Sequence, residues 1–117
     1  MALKKLPHNH GGYNFENMPD SVEFEASAEV FKLLGDSSRM RIFWILCHCE
    51  ECVINISALV EMTSPAVSHH LKMLRAGGLI QSRREGKEVC YKASDTEQAK
   101  LLHDMIEQIV KITCPGK

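Results

Sequence analysis

Between positions 47 and 52 the chain reads Cys-His-Cys-Glu-Glu-Cys, which puts three of its five cysteines and one of its six histidines within six residues. Cys49 and Cys52 have the two-residue spacing at which one ion can take two sulfurs, and Cys47 and His48 stand beside them. Thiolates favour soft or borderline cations such as zinc, cadmium or lead, or trivalent arsenic supplied as arsenite. Glu50 and Glu51 add attraction for a cation. Their charge also raises neighbouring thiol pKa values, which disfavours an activated redox thiolate. A four-coordinate site needs further donors, for which Cys47, His48, His8 and His10 are candidates. Two other readings stay open: thiol oxidation or persulfide sensing without any metal, and a packing role for Cys47 with the other cysteines incidental.

The elements that would position this cluster fit one domain. A chain of 117 residues with 44% apolar content can bury one core of ordinary size. It holds no apolar run long enough to span a bilayer and starts without an apolar signal segment, so a soluble cytoplasmic protein with no membrane partner is expected. An odd, clustered set of cysteines does not suit a disulfide framework, and reduced thiols are expected. The formal net charge is −1, but residues 63–92 hold six Lys/Arg against two Glu, which makes that segment +4 and the rest −5.

Residues 1–19 carry proline, glycine and histidine without apolar periodicity and read as a flexible arm, 20–114 as the folded domain, and 115–117 as a tail. Asp20 with Glu23 has capping-box spacing for a first helix ending at Gly35. A second helix is predicted from Ser37 to about Cys47, with Met40, Phe43, Trp44 and Cys47 at three- and four-residue steps and Ile42, Ile45 and Leu46 widening the buried face. Asn55 would cap a short helix over 56–61, followed by a tight connection at Met62-Thr63. Ser64-Pro65 then opens a helix that Gly77-Gly78 closes, with Val67, Leu71 and Leu74 on one face and Pro65, Ser68, His69, Lys72 and Ala76 on the other. Short strands are expected at 79–82 and 89–92 around a charged hairpin, Arg83 to Glu88, with Gly86 in its turn. Ser94 to Glu97 reads as a capping box for a last helix whose apolar stripe, Leu102, Met105, Ile106, Ile109, Val110 and Ile112, is broad enough to need a partner. Cys90 and Cys114 read as packing residues, with Cys114 a secondary ligand candidate.

A short helix joined by a tight turn to a helix with a polar free face matches a helix-turn-helix, whose second helix enters the major groove. Three stretches, LGDSSRMRI before the motif, SPAVSHHLKMLRAGGLI through the second helix and RREGKEVCYK after it, resemble the ArsR/SmtB family of metal-responsive bacterial repressors. The resemblance implies a mainly α winged helix-turn-helix (α-α-α-α-β-β-α), homodimeric through its first and last helices. It implies a repressor that holds its double-stranded DNA operator until an inducer lowers its affinity. Physical chemistry assigns roles within that frame. Ser64 and the helix N-terminus can donate to phosphate, and Ser68 and His69 can reach base edges. Lys72 and Arg75 can reach the backbone, and Arg83, Arg84 and Lys87 can track phosphate or minor groove. His70 leans to the packed side.

In the commonest thiolate version of the family site the segment continues Cys-Val-Cys, whereas this chain has Cys52-Val53-Ile54. The candidates are therefore Cys47, Cys49 and Cys52, with His48 and, as in relatives whose arm reaches the other subunit, His8 and His10. A second family site on the last helix would fall on Asp95, Glu97, Gln108 and Lys111. A charged lysine does not ligate, so that site is not expected. His103 and Glu107 form an i, i+4 pair that reads as a surface hydrogen bond, with metal binding at a dimer seam as the lesser alternative. An enzyme is not expected, since neither a nucleophile with its base nor a phosphate-cradling glycine loop is evident, and the Cys-x-x-Cys lacks a βαβ setting.

Overall fold

The computed structural model describes residues 6–116; positions 1–5 of the expected arm and Lys117 of the expected tail lie outside them. Helix α1 (Ser21–Leu33) starts at the expected cap, where Asp20 accepts from the Glu23 amide at 2.8 Å. Helix α2 (Ser37–His48) is capped in the same way by Asp36. A two-residue strand, β1 (Glu51–Cys52), leads into α3 (Val53–Val60) and α4 (Ser64–Ala76). Strands β2 (Ile80–Glu85) and β3 (Glu88–Ala93) precede the final helix α5 (Glu97–Thr113). The sheet order is β1-β3-β2, antiparallel throughout. Four helices, a hairpin and a last helix make a winged helix-turn-helix.

Several boundaries differ from expectation for identifiable reasons. Helix α3 begins at Val53, so Asn55 lies inside it and donates to Glu51 at 2.7 Å instead of capping. The cap of α4 is Thr63, whose hydroxyl accepts from Ala66, and Ser64 is the first helical residue. Ser94 is buried, with its amide bonded to the Leu79 carbonyl, so the cap of α5 passes to Thr96. The charged residues Arg83, Arg84 and Glu85 belong to β2 and not to a loop. The Glu85–Glu88 pairing leaves Gly86-Lys87 as a two-residue turn, and the φ of +63° at Gly86 suits the glycine-first type that matches strand twist.

The core joins Ile42, Phe43 and Leu46 of α2 to Ile56 and Val60 of α3, Val67, Leu71 and Leu74 of α4, Leu79, Ile80, and Ala99, Leu102 and Ile106 of α5. The buried face of α2 holds the expected Ile42, Phe43 and Leu46, whereas Trp44, expected with them, is 39% exposed. Helix α4 ends in paired reverse bonds, Leu79 amide to Leu74 carbonyl and Gly78 amide to Arg75 carbonyl, with Gly78 at φ +77°. Arg39 donates to the Leu33 carbonyl at 2.6 Å and reaches the Met73 sulfur, tying the end of α1 to α4.

Helix α1 buries no residue, and Val22, Phe24 and Phe31 are exposed, as are Leu101, Ile109, Val110 and Ile112 of α5. Cys114, expected to pack, is exposed at the end of α5. The radius of gyration is 18.8 Å, against about 13 Å for a compact domain of this length. No described helix is long and apolar enough to cross a membrane.

Candidate nucleic-acid interface and ligand sites

Helix α4 buries Val67, Leu71 and Leu74 and turns Ser68, His69, Lys72 and Arg75 outward, as 100° per residue requires. A cleft of about 480 Å³ between α4 and the wing is lined by Ser68, Leu71, Lys72, Arg75, Ala76 and Tyr91. The Ser64 hydroxyl lies 3.3 Å from that of Ser57, across the turn of the motif. His70 is half-buried, and its Nδ1 has no partner among the described residues. Arg84 and Lys87 are exposed on the wing.

Arg83 is placed differently from its neighbour. Its Nε donates to both Glu50 carboxylate oxygens at 2.9 Å, and its Nη2 reaches Glu50 and Glu85. The Arg83 hydrogen bond is the main cause holding the Glu50 carboxyl below its ordinary pKa, and Glu50 in turn raises that of Arg83. The charge expected to meet DNA is largely compensated within the protomer.

Glu50 sits inside the cysteine cluster, so this ion pair joins the cluster to the wing. The pairing of β1 with β3 adds a second link, Glu51 facing Tyr91 and Cys52 facing Cys90. Cys47 is half-buried on α2, Cys49 caps α2 with its thiol 3.4 Å from the Ile45 carbonyl, and Cys52 lies in β1. Burial, reinforced by Glu107, pushes the Cys47 thiol up to about 11, so it is a neutral thiol at neutral pH. The candidate donors Cys47, Cys49 and Cys52 belong to none of the groups of three or more ligand atoms lying within 4.8 Å of one another among the described residues. As arranged here they are not a ready three-sulfur site. His8 and His10 stack on each other in the arm, with ring centroids 6.0 Å apart.

Two other groups do converge. One is Glu50, Glu85 and Cys90, where the Arg83 guanidinium already supplies the positive charge. The other is His48, His103 and Glu107. His103 and Glu107 were legible as an i, i+4 pair, but their meeting with His48 across α2 and α5 was not. The Trp44 indole donates to Glu107 at 3.1 Å and lies against His48 in a tilted arrangement, with centroids 4.2 Å apart and the rings 41° from parallel. That bond is the main cause lowering the Glu107 pKa.

The family profile described as "Bacterial regulatory protein, arsR family" matches residues 36–82, from the cap of α2 into β2. An uncharacterized HTH-type transcriptional regulator of Methanocaldococcus jannaschii, MJ1325, is 31% identical over 77% of this chain and 93% of its own length. The chain belongs to the ArsR/SmtB family. This is a family of transcriptional regulators, not enzymes. The transcriptional repressor SmtB homolog of Synechocystis is 34% identical over 70% of this chain and 62% of its own length. The cadmium resistance regulatory protein CadC homolog of Staphylococcus aureus is 36% identical over 64% and 63%. The chain thus spans less than two thirds of the length of these two ArsR/SmtB relatives.

Among solved structures, reduced HlyU of Vibrio cholerae superposes with a TM-score of 0.66 at 29% identity, over 80% of this chain and 94% of that one. The homodimeric winged helix-turn-helix domain Mb0332 of Mycobacterium bovis superposes with a TM-score of 0.71 over 92% of this chain and 95% of that one, and at 23% identity speaks for the fold alone.

Proposed function

We propose that the protein is a homodimeric, sequence-specific DNA-binding repressor that a thiophilic ion releases from its operator. The carrying observation is the outward face of α4, Ser68, His69, Lys72 and Arg75, set beside the exposed Arg84 and Lys87 of the wing in an otherwise acidic chain. Ser64 and the α4 N-terminus would meet phosphate, Ser68 and His69 base edges, and the four cations the backbone. Arg83 instead acts as a strut to Glu50. A second copy would cover the exposed apolar residues of α1 and α5, a reading supported by the homodimeric state named for the Mb0332 domain.

The repressor and cadmium-resistance names of the relatives support a soft-metal inducer. Cys49 and Cys52 would be its first donors, with Cys47 and the arm's His8 and His10 as further candidates, while His48 is turned toward His103 of α5. Drawing Cys49 and Cys52 together would displace Glu50 and β1, and both are bound to the wing. A coupling of about 1–3 kcal/mol changes operator affinity roughly 5- to 150-fold. A second reading, thiol oxidation without metal, is favoured by one observation: Cys52 and Cys90 stand directly opposite in the β1–β3 pair, where Cα separations of about 4.5–5.5 Å suit a disulfide.

The test is fluorescence anisotropy on labelled promoter DNA. A Lys72→Glu, Arg84→Glu double variant is expected to lose operator binding while remaining dimeric by sedimentation, and undiminished affinity would refute the interface.

A further inference from the structure

The cluster that joins α2 to α5 does not belong to the DNA face, and its three donors come from two helices. His103 Nε2 lies 3.1 Å from His48 Nε2 and 3.2 Å from Glu107 Oε1, and His48 Nε2 lies 3.6 Å from the same oxygen. A tetrahedral ion with bonds of about 2.0–2.1 Å to imidazole nitrogen and carboxylate oxygen spaces its ligand atoms roughly 3.3–3.4 Å apart. The three observed separations bracket that value.

Protons alone satisfy this triangle poorly. If His103 Nε2 carries the proton, one N–H is divided between two acceptors. If His48 Nε2 carries it, the lone pair of His103 faces a carboxylate. If both carry one, two N–H groups confront each other. A single cation among the three atoms satisfies all of them at once.

We propose that His48, His103 and Glu107 bind one divalent ion of the zinc, cobalt and nickel class, in a site separate from the cysteines. Imidazole and carboxylate are the donors such ions take, and three protein ligands leave a fourth position for solvent or a small ligand. A cleft of about 350 Å³, lined by His48, His103, Cys47, Cys49 and Lys100 among others, adjoins that position. Trp44 Nε1 donates to the very oxygen of Glu107 that would ligate, an outer contact of the kind that fixes a carboxylate ligand. None of Asp95, Glu97, Gln108 and Lys111 takes part. The ion would clamp the C-terminal turn of α2, which runs straight into the cysteine segment, onto α5.

The test is anaerobic titration of the full-length, reduced, metal-stripped protein with cobalt(II), followed by competition with zinc. In a Cys49→Ser, Cys52→Ser background, which removes the thiolate donors, the expected signal is a tetrahedral ligand-field band that saturates at one ion per protomer. In that background it should disappear, or weaken at least tenfold in affinity, on adding His103→Gln or His48→Gln. Trp44, the chain's one tryptophan, should report the same titration through its fluorescence. His48 is exposed, so His48→Gln decides the matter if His103→Gln unfolds, and thermal melts without metal verify the fold of each variant. No band in the Cys49→Ser, Cys52→Ser background, or a band there that survives both histidine substitutions, would overturn the site.

Discussion

Two adjacent arginines of the wing should behave differently toward DNA. Arg84 is exposed and makes no ion pair among the described residues, whereas Arg83 is held by Glu50 and Glu85. Each cation that neutralises a phosphate contributes about 0.9 to the slope of log affinity against log salt. With Lys72, Arg75, Arg84 and Lys87 free in both protomers, a slope of about −7 is expected. Arg84→Ala, present twice in a dimer, should flatten it by about 1.8, so that the wild type loses roughly tenfold more affinity than the variant between 50 and 200 mM salt. An Arg83→Gln, Glu50→Gln double variant removes the pair at constant net charge and should leave the slope within about 0.5 of the wild type. Anisotropy titrations at four salt concentrations measure both. A slope indifferent to Arg84 but flattened by the double variant would show that Arg83, not Arg84, meets the phosphates.

Other consequences are independent of DNA. Burial raises the Cys47 pKa to about 11, so at pH 8 Cys49 and Cys52 should be alkylated well before Cys47, as peptide mass mapping would record. Because folding favours the protonated Cys47 thiol, its contribution to stability is complete below the ordinary thiol pKa and lost as pH rises through about 11. Cys47→Ala should remove that alkaline decline in urea midpoints. Phe43 is fully buried, and Phe43→Ala should cost about 3–5 kcal/mol with an unchanged urea m-value. Gly86→Ala places a side chain at φ +63° and should cost about 1–2 kcal/mol, leaving dimerisation intact by sedimentation.

Helix α4 was legible almost residue by residue, because its punctuation is local: a hydroxyl and a proline at one end, two glycines at the other, and a three-four apolar spacing between. Its cap slipped by one position, from Ser64 to Thr63, since two adjacent hydroxyl residues offer the same donor-acceptor chemistry. The two-residue β1 left no periodic signal at all. It exists because Cys90 and Tyr91, some forty residues away, pair with it, and that pairing moved the start of α3 and displaced Asn55 from its expected cap. Arg83 to Glu85 read as a loop because charged residues have little strand preference, yet the tight turn at Gly86 set a register that carried them into the ladder. The sites divide along the same line. The i, i+4 pair of His103 and Glu107 was visible, but its approach to His48 spans two helices far apart in the chain. The strut from Arg83 to Glu50 had no sequence signature beyond opposite charge.

Release of a sequence-specific repressor by a thiophilic ion is tested most directly by comparing labelled DNA from the protein's own promoter with a scrambled duplex of equal length, under reducing anaerobic conditions, before and after one equivalent of cadmium per protomer. The metal-free dimer is expected to bind the promoter at least about a hundredfold more tightly than the scrambled duplex, and cadmium to lower promoter affinity by about 5- to 150-fold. Equal affinity for the two duplexes would contradict a sequence-specific repressor, and promoter binding unmoved by cadmium would contradict its release by a thiophilic ion.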